Sequence, residues 1–562
     1  MWWTIFQRFA VPFEIEWNEG HTAEQAWRFA TGQPLYPAPE SGWVPYMYAP
    51  GHHIILGTIY WFMGGISLPV GRLLSVLATA GTQAALVLIV WDRTRRLSSA
   101  FLALTLYAAT FRLCGFCFDL VRVDSLGLAF ALWAMYFVLR RKATTASVAS
   151  ALLLAAIAAA IKQPFALLWF FAAFIGVFRS AKGTLLGVVG SVLLGAQLFF
   201  LLSVAGSTHI WHYTVTNALE HLSRHDVFFP GALYPDQFAA ARLPEESWLQ
   251  AYRRLWSEGS APALWVEFLR HWWILGLVVM AWPILRLTRR LGSAGFLYVI
   301  VLLILLASSV SAYAKFGGFV NNFQPFFAGL AIVLAFAVEG LRRASAGWPR
   351  VALLLVVSSA LVAQVLQPWS MPAMDQSFLG KLAHRDPDPE RGRALVTEWR
   401  EQSRPPAIAM LARAIEPGWG WLPRWQAPTL GSEEAHAALM KWLAERHAAG
   451  EPVWMLHHQV YALQTGHPLP YNVDMVRCAV WAGDPVPQAL GDALLSGRGK
   501  WLVADMRDLK YEWLPAGVHD KIRAGYDFVG PMPGLESIEF TRALMPVTGA
   551  EMRPLFIWQS RR

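Results

Sequence analysis

Charge is scarce in this sequence. Asp, Glu, Lys and Arg make up 15% of its 562 residues, while apolar residues make up 55%. That balance, with a mean hydropathy of +0.37, excludes an ordinary soluble globular chain. Cysteine is nearly absent, and three residues are too few for a disulfide framework. Cys114-Gly115-Phe116-Cys117 has redox-motif spacing, but it falls inside an apolar stretch read as a membrane span, where packing is the better reading; Cys478 has no obvious partner. The net charge is +9, yet no basic-aromatic module accompanies it, so nucleic acid is not an expected partner. No nucleotide fingerprint, zinc spacing or nucleophile elbow is visible in the C-terminal third. Nor is a cleavable signal peptide, since the first apolar stretch runs into acidic residues by Glu14.

What the chain does have is long apolar runs. Segments 70–91, 98–117, 121–139, 146–161, 163–178, 184–204, 271–287, 293–314, 319–339 and 349–368 read as membrane-crossing helices. Several of the 28 Trp stand where such a run meets polar residues (Trp91, Trp272, Trp348, Trp369), as in interfacial belts. Residues 1–13 are also apolar but reach only about 20 Å as a helix. They read as a truncated first span, with a half-membrane anchor as the alternative. The expectation is a polytopic α-helical membrane protein of about 11 spans.

Basic clusters follow the spans at Arg93, Arg95 and Arg96; Arg140, Arg141 and Lys142; Arg179 and Lys182; Arg286, Arg289 and Arg290; and Arg342, Arg343 and Arg350. Placed in the cytoplasm, they put loops 14–69 and 205–270, the short turns near 118–121, 162 and 315–318, and everything after 369 on the outer face. The apolar piece 49–63, which starts at a Pro and contains His52 and His53, must then lie on or dip into that face rather than span. The chain so divides into a transmembrane domain, 1–369, and a soluble extracytoplasmic domain, 370–562. In the second, a Pro-rich linker (386–406) precedes short apolar runs at 453–456, 501–504, 526–529 and 555–558. These alternate with helical stretches such as 433–447, the pattern of a small α/β domain.

Polar residues gather on the outer face. Glu14, Glu16 and Glu19, with Asn18 between them, stand where the first apolar stretch ends. A solvated loop or helix start would also suit three acids. Three sets of residues stand at membrane depth: Asp119, Arg122 and Asp124 at a span junction; Lys162 in a tight turn; and Lys315-Phe316-Gly317-Gly318 with Asn321 and Asn322 opening a later span. Charges there are expensive and carry a functional hypothesis, although a lysine can also snorkel to headgroups. Asp119 and Asp124 could bind a divalent cation or simply pair with Arg122. The four His of the loop 205–270 (His209, His212, His221, His225), with Asp226, have no metal-site spacing, and a loop closing over an acceptor cleft is the better reading.

The ordered set resembles the GT-C glycosyltransferases, membrane enzymes that use polyprenyl-phosphate-linked sugars and include protein O-mannosyltransferases and lipid A aminoarabinose transferases. It comprises the acids of the first outer loop, Gly32-Gln33-Pro34-Leu35-Tyr36-Pro37, Tyr48-Ala49-Pro50-Gly51 and Gly71-Arg72-Leu73-Leu74-Ser75. The resemblance covers residues 1–370. Asn18-Glu19 takes the place of the family's acidic pair and Tyr48-Ala49-Pro50-Gly51 that of its Pro-Pro-Leu-like element; both are departures. Because Asn18 cannot accept a proton, the base falls to Glu19, Glu16 or Glu14. In a helix Glu16 and Glu19 share a face, so those two are expected to point towards one cavity with Glu14 the outsider. The lysine–glycine–asparagine run also resembles a motif of bacterial GT-C-like proteins.

The resemblance implies an inverting glycosyltransferase of a bacterial inner membrane, active on the periplasmic face. Its donor would be a polyprenyl-phosphate-linked sugar and its acceptor a lipid, glycan or protein. Lys162, Lys315 and Arg122 would hold the donor phosphate, with Tyr48, Asn18, Asp119, Asp124, Asn321 and Asn322 in support. Some family members require a divalent cation, Mg or Mn. A transporter or lipid flippase is the rival reading; no inverted repeat with broken helices in matching halves supports it.

Overall fold

The computed structural model describes residues 1–41, 43–111, 114–115, 117–216, 292–313, 320–344, 430–456, 458–467, 499–504, 516–533 and 555–561, together with Leu490 and Asp492. Within them the apolar runs form helices, the local structure that satisfies every backbone polar group without water. A short helix α1 (Trp2–Arg8) leads to α2 (Trp17–Ala30) and α3 (Gly51–Met63). Six helices follow: α4 (Leu68–Thr94), α5 (Leu97–Ala109), α6 (Val123–Leu139), α7 (Thr145–Ile161), α8 (Ala166–Arg179) and α9 (Ala181–Val204). Later come α10 (Gly292–Tyr313) and α11 (Gln324–Ala344). Hydroxyl caps set several of the starts: Ser67 for α4, Ser180 for α9 and a Thr144–Ser147 capping box for α7. Three segments, Leu68–Thr94, Ala181–Val204 and Asn321–Gly340, are long and apolar enough to cross a membrane, and shorter apolar helices accompany them. Helix α6 packs between α4 and α7, α7 against α9, and α11 against α10 and α5.

Seven of the expected spans coincide with helices; 271–287 and 349–368 lie outside the described residues. The linker 386–406 and most of the loop 205–270, including His221, His225 and Asp226, lie outside them as well.

The span expected over 98–117 is a correction, because α5 ends at Ala109. Cys114 and Cys117 lie beyond it, both buried and unbridged, around a turn in which Gly115 takes a φ of +63°. Non-helical backbone at this depth survives because neighbours take up its polar groups. Thr79 and Ser125 donate to the Phe118 carbonyl at 2.6 and 2.8 Å, and Ser75 donates to that of Leu120 at 2.6 Å. The approach is close, since a Cβ at Gly71 would stand 2.8 Å from Val121.

Helix α3, with 13 residues, is too short to span. It lies against α2, where a Cβ on Gly57 would stand 2.4 Å from the Ala26 carbonyl oxygen. Trp61 and Phe62 at its far end are 62% and 77% exposed.

In the C-terminal part, α12 (Leu430–Ala448) precedes β1 (Val453–Met455), α13 (Gln459–Gln464), β2 (Trp501–Ala504), α14 (Ala516–Gly525), β3 (Tyr526–Pro531) and β4 (Phe556–Ser560). The strands make one mixed sheet in the order β1-β2-β4-β3. β1 and β2 run parallel, with Val453 opposite Trp501, and the other two pairings are antiparallel. The parallel pair is bridged by a crossover that includes α13, and α13 rests on α2. Thus part of the C-terminal region touches the helix that carries the first-loop acids.

Candidate functional site

The three acids of the first loop go to three different partners. Glu16 is the N-cap of α2, with extended backbone at φ −152°, and its Oε2 accepts from the Asn18 N–H at 3.2 Å. The same oxygen lies 2.9 Å from Nη1 of Arg122, which stands at the start of α6. Glu19, one turn into α2, faces Arg72 of α4 instead. Arg72 donates from Nε and Nη2 to the two oxygens at 2.8 and 2.7 Å and spends its other donors on the carbonyls of Val11 and Phe13. The N–H groups of Ile15 and Val121 complete the Glu19 shell at 2.9 and 3.1 Å. Glu14 turns towards the C-terminal part, where its Oε2 meets His458 Nδ1 at 2.6 Å and its backbone N–H donates to the Tyr461 hydroxyl at 2.9 Å.

Around Arg122, residues from several segments converge. Asp124, in the first turn of α6, accepts from Lys162 on one oxygen. Its other oxygen accepts from Asn321 Nδ2 at 2.7 Å and Arg122 Nε at 3.3 Å. Lys162 also donates to Asn322 Oδ1 at 2.6 Å. Glu16, Arg122, Asp124, Lys162, Asn321 and Asn322 are each more than nine-tenths buried. Two acids face two bases, so the cluster is neutral overall while holding two cations already stripped of water. Residues singled out separately from four segments thus form one network, and Lys162 serves an ion pair rather than snorkelling.

Burial of the Glu16 carboxyl pushes its pKa above the ordinary carboxylate value, against the pull of Arg122; the nearby Glu19 charge pushes the same way. Tyr48, beside Arg122, has its hydroxyl pushed up to about 12, chiefly by burial. Asp119 does not join the network. It takes Nε of Arg8 at 2.8 Å and a second contact from the same guanidinium, so Asp119 and Asp124 serve separate cations. Among the described residues no group of three His, Cys, Asp or Glu is placed to hold a metal ion. Asn18 anchors the turn through its backbone, its carbonyl accepting from Thr22 Oγ1 at 2.9 Å. Lys315 lies outside the described residues.

Reading Glu16 and Glu19 as two acids of one helical face missed what Arg72 does to the second. An arginine within an apolar 27-residue helix was the available signal for that clamp. Nothing in the spacing of His458 or Tyr461 marked them as partners of Glu14. That contact is tight, because a Cβ on Gly20 would stand 1.9 Å from Glu14 Oε1 and 3.0 Å from Val460. Gly20→Ala is therefore expected to lower the melting temperature. Overpacking here costs about 1–3 kcal/mol, which outweighs the roughly 1 kcal/mol that alanine gains over glycine within a helix. A variant melting at or above the parent would show that Glu14 leaves His458 freely.

No family model matches the chain, and no curated protein matches it in sequence. Solved structures do. The chain is similar to ArnT from Cupriavidus metallidurans bound to undecaprenyl phosphate, with a TM-score of 0.53, 13% identity, and coverage of 99% of this chain and 96% of that one. It is similar also to the apo state of the same protein, at a TM-score of 0.50 and 12% identity, covering 99% and 95%. The likeness runs the length of both chains. The chain shares its fold with that protein.

Proposed function

We propose that this chain is a glycosyltransferase that moves a sugar from a polyprenyl-phosphate carrier to an acceptor at the outer face of the membrane, with inversion at the anomeric carbon. The observation that carries this reading is the buried pair of cations, Arg122 and Lys162, held beside a carboxylate of raised pKa in a GT-C fold. The similar ArnT structure binds undecaprenyl phosphate, the kind of carrier such cations suit.

In the proposed reaction the acceptor hydroxyl oxygen attacks the anomeric carbon from the face opposite the phosphate. A new C–O bond forms, the bond to the phosphate oxygen breaks, and its electron pair stays with the phosphate. Arg122 and Lys162 stabilise the charge gathering there. Glu16 takes the proton of the hydroxyl. In the resting structure Arg122 pairs with Glu16; donation to the incoming phosphate releases that carboxylate and removes the influence that lowers its pKa. Glu19, saturated by Arg72 and two backbone N–H groups, is a structural clamp and a poor base. The donor set fits side-chain cations better than Mg or Mn, because Asp119 and Asp124 are each engaged by cations of the chain.

Lys162→Gln tests the phosphate assignment. Glutamine keeps a hydrogen-bond donor for Asp124, which also retains Arg122 and Asn321. Losing a charged contact to phosphate should weaken binding of undecaprenyl phosphate about tenfold or more. Unchanged affinity in a folded Lys162→Gln protein would move the phosphate elsewhere. Carrier binding and release without any transfer would favour the flippase reading.

A further inference from the structure

The ion network around Asp124 is bordered by polar atoms that no group among the described residues satisfies. Among the described residues, both ring nitrogens of His52 are buried without a hydrogen-bond partner, and so are Asn321 Oδ1, Gln324 Nε2 and Gln163 Oε1. Each belongs to a residue tied to that network or its rim. Asn321 donates its amide to Asp124, and Gln324 accepts from Ser125, the residue after Asp124, at 3.5 Å. Gln163 follows Lys162 and donates to the Met47 carbonyl at 2.6 Å, just ahead of α3. His52 lies in the first turn of α3 and feels the charge of Asp124. The amide orientations are fixed for Asn321 and Gln163, since their nitrogens already meet a carboxylate and carbonyls.

Buried polar groups are almost always hydrogen-bonded, so several unsatisfied ones beside a single ion network point to a ligand. Their chemistry limits what it is. A second phosphate would call for more cations, and an isoprenoid chain would leave all of these atoms unpaired. Burial lowers the pKa of His52 to about 4, so its imidazole is neutral, with one nitrogen a donor and the other an acceptor. Asn321 and Gln163 add acceptors, and Gln324 adds a donor. Mixed neutral donors and acceptors match vicinal hydroxyls, each of which both gives and takes a hydrogen bond.

We infer that His52, Gln163, Asn321 and Gln324 form the subsite that recognises the hydroxyl groups of the transferred sugar, next to the cations that hold its phosphate. This rests on the polyprenyl-phosphate reading above and deepens it. The first turn of α3 supports the placement: Pro50 caps it without a side-chain hydrogen bond, and a Cβ on Gly51 would stand 2.7 Å from the Ala160 carbonyl oxygen, which brings His52 up against the end of α7 that leads into Lys162.

The test compares two probes on the purified full-length protein: bare undecaprenyl phosphate, and undecaprenyl phosphate carrying a hexose, an N-acetylhexosamine or a pentose. The parent should bind one glycosylated carrier more tightly than the bare one. His52→Phe keeps a buried ring and removes both nitrogens. It should cost that glycosylated carrier about tenfold in affinity and leave the bare carrier within about twofold, with the melting temperature retained. Gln324→Met, nearly isosteric, should show the same split and serves if His52→Phe does not fold. Equal losses for both probes, or no loss for either, would overturn the subsite. So would a parent that binds every glycosylated carrier no better than the bare one, although the carrier reading would then stand. A parent that binds neither probe would overturn the carrier reading itself.

Discussion

Glu16→Gln is expected to lower sugar transfer by about 10²–10⁴-fold, the usual contribution of a proton-accepting group, with donor affinity and melting temperature nearly kept. Glutamine retains the oxygen that caps α2 and faces Arg122, at 3.2 and 2.9 Å in the parent, so local structure has little reason to change. What it loses is the ability to take a proton. The parent should also show an acidic limb in its pH–rate profile above the ordinary carboxylate range. Glu16 must be deprotonated to act, and burial raises its pKa. Activity therefore rises as pH climbs through that raised value. Turnover within about tenfold of the parent in Glu16→Gln would remove Glu16 from the chemistry.

Glu19→Ala should fail in a different way. It strands Arg72, fully buried, with its charge uncompensated, and breaking a buried pair from one side costs about 3–5 kcal/mol. Against a typical total stability of roughly 5–15 kcal/mol, such a loss should appear as poor yield and a much lower melting temperature before any kinetic effect is read. The variant also frees the N–H groups of Ile15 and Val121, loosening the turn that carries Arg122. A Glu19→Ala protein that melts like the parent but transfers no sugar would reverse these roles, making Glu19 the chemical group.

Much of this was legible in the sequence for physical reasons. Apolar runs fix helices because backbone in hydrocarbon has few alternatives, so α4, α6, α7 and α9 fall where hydropathy puts them. The four C-terminal strands coincide with short apolar runs bounded by polar residues. Arg122, Asp124, Lys162, Asn321 and Asn322 stood out singly as polar residues at membrane depth, but their convergence on Asp124 is a property of the packing of α6 against its neighbours. The end of α5 was not legible. The apolar run continues past Ala109, and the hydroxyls that support the irregular turn come from α4 and α6. The contact of Glu14 with His458 spans 444 positions, and no local pattern encodes it.

The most direct measurement follows the sugar itself. Purified protein would be incubated with undecaprenyl phosphate carrying a radiolabelled sugar and with a membrane extract as the source of acceptor, and label and free carrier quantified together. Label should leave the carrier for an acceptor as undecaprenyl phosphate appears in equal amount, and both signals should vanish together in Glu16→Gln. Label that stays on the carrier across the full set of hexose, N-acetylhexosamine and pentose donors, in protein shown to bind them, would contradict the proposed transfer.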